Sequence, residues 1–138
     1  IRTEEVGMMA SQTSAYGPVR EKLTQLQKEL ARTSDVIMDG RDIGTCVLPQ
    51  ADVKVYLTAS VSVRAKRRYQ ELLEKGEACS LAEIEKEIEE RDYRDMHREH
   101  SPLKQAEDAY YLDSSDMTLE QVVNAIIELI DGKRGAVR

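Results

Sequence analysis

Two short stretches concentrate side chains able to hold a small anion. Asp39 to Thr45 reads DGRDIGT, packing two aspartates, an arginine and two glycines into seven positions. Arg41 offers a planar fork suited to a phosphate or carboxylate, and the neighbouring Asp42 only accepts hydrogen bonds. Together they could read one anionic group and one donor group of the same ligand. The plainer alternative is a polar turn in which Gly40 and Gly44 supply unusual backbone angles. Glu90 to His100 reads ERDYRDMHREH. On a helix Arg91, Arg94, Asp95 and Arg98 fall at i, i+3, i+4 and i+7, three guanidiniums and one carboxylate on a common face. A solvated, salt-bridged surface is the bland reading. Against it, arginines on one stripe repel each other unless an anion or carboxylates sit among them.

A third cluster, Arg64, Arg67 and Arg68, shares one face of a helix, with a solvated surface again the alternative. His97 and His100 have an H-x-x-H spacing, but no cysteine or third ligand lies near, so both read as surface residues and no metal site is expected.

These groups need elements to position them. Pro18 suits the first turn of a helix, and Val19, Leu23, Leu26 and Leu30 then form one apolar face. A shorter periodic pattern precedes it from Thr3. Asp35 to Asp39 predicts a short buried strand, Val53 to Leu57 a second and Ala109 to Asp113 a third. Ser60 is a candidate N-cap for a helix reaching Lys75 and closed by Gly76. Ser80 to Glu83 and Thr118 to Gln121 have capping-box spacing, the first opening a helix to about Arg98, the second a helix containing Val122, Val123, Ile126, Ile127 and Ile130. Residues 132–138 read as a frayed basic tail. Strands alternating with helices predict an α/β fold with a parallel sheet flanked by helices. Ligands in such folds bind beyond the carboxyl ends of the strands, where DGRDIGT would lie.

At 138 residues and 41% hydrophobic, the chain suits one domain or a piece of one. A formal net charge of −6 argues against a general nucleic-acid or membrane-surface binder, so any anion site must be local. Two cysteines, Cys46 and Cys79, lack C-x-x-C spacing, which makes a reducing cytoplasm the simplest setting. No apolar run approaches 18 residues.

DGRDIGT, ERDYRD with its following arginine, and SVSVRAKRRYQELLEKG between them resemble bacterial cytidylate kinase. The resemblance runs in order from IRTEEV through Ser11, GPVR and DGRDIGT to YYLDSSDMTLEQVV, essentially the whole chain. It implies a P-loop nucleoside monophosphate kinase fold, a domain over 1–131 with a lid near 61–76, and transfer of the γ-phosphoryl group of ATP to CMP or dCMP. It also implies roles. Asp42 would accept from the cytosine amino group, with Arg20 and Ser11 on the rest of the base edge. Arg41 would hold the CMP phosphate, Arg91 and Asp95 the sugar and phosphate, and Arg98 a further phosphate oxygen. Arg64, Arg67 and Arg68 would close over the ATP phosphates, and with Arg98 they form the expected catalytic set.

One departure from the family is decisive. No G-x-x-x-x-G-K-[ST] occurs anywhere, so the main elements for ATP and Mg²⁺ are expected upstream of Ile1, and the chain alone is expected to be inactive. The central strand is then missing as well. The full-length protein is expected to be monomeric, while the isolated chain should be destabilised or oligomerise by exchange, which a cooperatively melting monomer in sedimentation would contradict. A non-catalytic nucleotide-binding module remains the alternative.

Overall fold

A computed structural model describes residues 16–135, with Val6, Met9, Ala10 and Thr13 ahead of them. Helix α1 spans Gly17–Thr33, with Pro18 in its first turn as its sequence predicts. A stretch without regular secondary structure leads into DGRDIGT, and a five-residue π-helical turn, Ile43–Val47, follows Asp42. Strand β1 (Val55–Thr58), helices α2 (Val61–Glu74) and α3 (Leu81–His97), strand β2 (Tyr110–Asp113) and helix α4 (Leu119–Gly135) complete the order.

The two strands pair in parallel, Val55 opposite Tyr110 through Thr58 opposite Asp113. The ladder is bracketed by Tyr110 N–H donating to the Lys54 carbonyl at 2.9 Å and Ser114 N–H donating to the Thr58 carbonyl at 2.8 Å. On one face Tyr56 and Tyr111 stack with ring centroids 6.0 Å apart, a cross-strand pair of the kind that stabilises a sheet. Helices α2 and α3 form the crossover between the strands and pack on each other, with Ala65 and Ile84 buried. Val47 is buried in the π-helical turn and Ala59 just after β1.

Caps separate what spacing can and cannot foresee. The Ser60 side chain accepts from Val63 N–H, and Gly76 ends the following turn at φ +74°, a left-handed conformation that suits glycine. Thr118 and Gln121 form the reciprocal box, each side chain accepting from the other's backbone N–H at 3.2 and 2.8 Å. Ser80 starts α3 but makes no side-chain capping bond, so the box expected at Ser80 to Glu83 is not formed.

Two expectations are corrected. Asp35 to Asp39 has no regular secondary structure and is not a strand, because the described sheet contains only β1 and β2 and offers it no ladder; Ile37 is 98% exposed. Helix α3 ends at His97, leaving Arg98 outside it. Helix α4 runs past Gly132 to Gly135. The apolar face of α1, Val19, Leu23, Leu26 and Leu30, is exposed, as are Leu57 and Ile127. No helix among the described residues is long and apolar enough to cross a membrane.

Candidate nucleotide-binding site

Three segments distant in sequence converge around two carboxylates. Arg20, in the first turn of α1, donates from Nη2 to Asp42 Oδ2 at 2.6 Å, and both side chains are largely buried. Arg41 donates from Nε to Asp95 Oδ2 at 2.8 Å. Asp95 is buried on the inner side of α3 and draws in Arg91 Nε at 3.9 Å and Arg98 Nη1 at 4.0 Å. Arg98 Nη2 lies 3.9 Å from Asp42 Oδ1, which links the two halves.

The backbone explains how Asp42 and Arg41 come to project side by side. Gly40 precedes them at a close approach: a Cβ there would lie 2.8 Å from the Ile43 side chain. The Asp42 carbonyl accepts from Cys46 N–H at 2.9 Å and Val47 N–H at 3.2 Å, and the Ile43 carbonyl accepts from Leu48 N–H at 2.6 Å. This wide turn fixes the residue after which it begins, a device common at functional sites. At the other wall, the chain leaving α3 folds back through Ser101 at φ +51°, and the Ser101 carbonyl accepts from Arg98 Nε at 2.6 Å.

Charge decides what the cluster can bind. Arg20, Arg41, Arg91 and Arg98 carry four positive charges against two negative ones on Asp42 and Asp95, leaving a surplus of two. A phosphate monoester carries nearly two negative charges at neutral pH and matches that surplus. Arg98 Nη2 is buried and makes no hydrogen bond among the described residues. Burial, followed by the fields of Arg20 and Arg41, holds the Arg98 guanidinium below its ordinary pKa; Asp42 and Asp95 act in the opposite direction. A buried donor under repulsion from neighbouring cations is poised to gain from an anion. Asp42 Oδ1 likewise accepts no hydrogen bond among the described residues, its contact with Arg98 being an ion pair at 3.9 Å.

Arg20, Arg41, Asp42, Arg91, Asp95 and Arg98 are thus brought together, while Ser11 lies outside the described residues. The remaining arginines go elsewhere. Arg94 donates back to the Glu90 carbonyl on the outer side of α3, so the expected common stripe loses one member. Arg64, Arg67 and Arg68 share a helix face but their guanidiniums diverge. Arg64 grips Asp92 of α3 with both Nη atoms and donates from Nε to the Ala59 carbonyl. Arg67 donates to the Ser114 carbonyl at 2.6 Å and to Ser114 Oγ, tying α2 to the end of β2. Arg68 pairs with Glu71 at 3.0 Å, and hydrogen bonds from Lys75 and then Arg68 hold the Glu71 carboxyl below its usual range. His97 and His100 are exposed.

One pair had no counterpart in the sequence reading. Lys54, buried at the entrance to β1, donates to Asp108 at 2.7 and 2.8 Å and to the Pro49 carbonyl at 2.6 Å. The available signal was a lysine between Val53 and Val55, in a position that alternation assigns to a strand interior.

The family model described as cytidylate kinase matches residues 1–132. A cytidylate kinase of Lactobacillus johnsonii is 54% identical over 134 residues, covering 97% of this chain and 58% of that protein. One from Lactobacillus gasseri has the same identity and coverage. One from Streptococcus pneumoniae, strain Hungary19A-6, is 53% identical over 126 residues, covering 91% of this chain and 56% of that protein. The chain spans somewhat over half the length of these relatives and matches their C-terminal portion.

Proposed function

Because the chain belongs to the cytidylate kinase family, we propose that the whole protein transfers the γ-phosphoryl group of ATP to CMP or dCMP, and that this chain holds the acceptor nucleotide. The observation that carries the reading is the paired-charge cluster itself: an acceptor and a donor at one end, and guanidiniums in excess at the other.

Arg20 and Asp42 form the base-reading end. With Oδ2 engaged by Arg20, Asp42 Oδ1 is left to accept from the exocyclic amino group of cytosine. Arg20 would donate to the ring acceptors. Uracil would present a carbonyl to the carboxylate, setting two acceptors against each other, and a site built for a hydrogen bond rejects such a ligand strongly. Arg41 and Arg98 form the phosphate end. Arg41 is joined to Asp95 through Nε only, so its two terminal nitrogens make no hydrogen bond among the described residues. Arg91 and Asp95 would hold the sugar and phosphate.

Arg64, Arg67 and Arg68 would serve the ATP phosphates from α2, which requires them to leave Asp92, the Ser114 carbonyl and Glu71. Among the described residues no grouping of three or more His, Cys, Asp or Glu could hold a metal ion, and the sequence has no phosphate-cradling loop. We place the phosphate-cradling loop and the Mg²⁺ site in the part of the relatives' length that this chain does not span. P-loop kinase architecture and a cytoplasmic setting belong to the same proposal. A non-catalytic nucleotide-binding module is the second reading.

Turnover by the whole protein separates the two. With ATP and Mg²⁺, kcat/KM for CMP or dCMP should exceed that for UMP by about 100-fold or more. Equal turnover of CMP and UMP would overturn the base reading, and tight CMP binding with no diphosphate formed would favour the module.

A further inference from the structure

We infer that Lys54 is a positioning residue for the Arg41–Asp42 pair, acting as a clamp that fixes the π-helical turn between Asp42 and β1. The inference rests on the proposed nucleotide site, which gives the turn its function.

The clamp has three contacts on three segments. The Lys54 ammonium donates to the Pro49 carbonyl, just beyond the turn, and to both oxygens of Asp108, just before β2. Its methylenes pass close under Gly44 inside the turn, where a Cβ would lie 3.3 Å from Lys54 Cδ. Its own carbonyl accepts from Tyr110 N–H and so starts the parallel ladder. The turn is therefore pressed against a side chain whose far end is anchored to the two strand entrances. Asp42 is the residue from which the turn springs, through its carbonyl bonds to Cys46 and Val47. A shift of the turn moves the carboxylate that faces Arg20.

Burial makes the clamp asymmetric. The Lys54 side chain is 7% exposed, whereas that of Asp108 is 65% exposed. Lys54→Met keeps the stem under Gly44 and leaves a solvated carboxylate behind, which is tolerable. Asp108→Asn leaves a buried ammonium without its counter-charge and is the more damaging change. The Asp108 carboxyl is held below its ordinary pKa by its hydrogen bond with Lys54, in accord with a formed ion pair.

The test uses the whole protein and two readouts. Amide hydrogen exchange, followed residue by residue, should accelerate about 10-fold or more at Cys46, Val47 and Leu48 in Lys54→Met, with Tyr110 and Ser114 staying protected as a check on the sheet. Titration should show CMP binding weakened about 10-fold and its margin over UMP reduced. Lys54→Arg should restore both in large part, and Asp108→Asn should exceed Lys54→Met in both. Unchanged exchange in the turn would overturn the clamp. Faster exchange with wild-type CMP affinity and preference would reduce Lys54 to a structural lysine and overturn its positioning role. Should the unaltered protein show no preference for CMP, the functional reading fails instead, and the exchange data alone still decide whether Lys54 holds the turn.

Discussion

Asp42→Asn should reduce the preference of the whole protein for CMP over UMP by about 10- to 100-fold, with the fold retained. The carboxylate can only accept, so a base that brings an acceptor leaves both groups unpaired. An asparagine amide can turn its NH₂ toward uracil or its oxygen toward cytosine, and the site loses its reason to choose. The effect on selectivity should exceed that on overall affinity, because the phosphate-side guanidiniums Arg41 and Arg98 are untouched. The substitution also exchanges the 2.6 Å ion pair with Arg20 for a neutral hydrogen bond, so circular dichroism must accompany the titrations. A folded variant with the original CMP-to-UMP ratio would remove Asp42 from base recognition.

Asp95→Ala should be the most destabilising change in the cluster, lowering the free energy of unfolding by about 2–4 kcal/mol. Asp95 is buried and faces Arg41, Arg91 and Arg98. Removing it leaves three guanidiniums with Asp42 as their only remaining carboxylate within the cluster. The figure falls below that for a fully buried triad because Arg41 and Arg91 reach solvent and are partly screened. Arg91→Ala, at the end of a 3.9 Å contact on an exposed side chain, should cost less than about 1 kcal/mol. Inorganic phosphate should recover part of the Asp95→Ala deficit, since an anion that binds only the folded state stabilises it by mass action. Urea denaturation of both variants, with and without phosphate, provides the comparison. A deficit for Asp95→Ala no larger than that for Arg91→Ala would show that the guanidiniums are not held by this carboxylate.

What the sequence made legible follows the range of the interactions involved. Pro18 and the leucine spacing announced α1, Gly76 announced the end of the chain segment after α2, and the Thr118–Gln121 box announced α4, because each depends on neighbours within one turn. Val36-Ile37-Met38 read as a strand because it is apolar, but a strand also needs a partner's ladder, and the described sheet supplies none. The exposed apolar face of α1 has the same origin: its periodicity is intact and what would cover it is not among the described residues.

The site was legible as a set of residues rather than as a set of pairs. Arg41, Asp42, Arg91, Asp95 and Arg98 were all named from local patterns, and the Arg91–Asp95 contact follows helical spacing, yet the Arg20–Asp42 and Arg41–Asp95 pairs cross 22 and 54 positions of sequence, and no spacing rule reaches that far. The same limit hid Asp92 from Arg64 and Asp108 from Lys54. Helical spacing also promised that Arg94 would join Arg98, whereas the helix stops at His97 and Arg98 turns inward from the loop.

Titration calorimetry of the whole protein with CMP, UMP and cytidine, in the absence of ATP, tests the central claim most directly. The charge surplus and the Asp42 acceptor require both ends of the ligand, so CMP should bind more tightly than UMP and also more tightly than cytidine, which lacks the phosphate. CMP and UMP binding alike, or cytidine binding as well as CMP, would contradict the assignment of these six residues to the acceptor nucleotide.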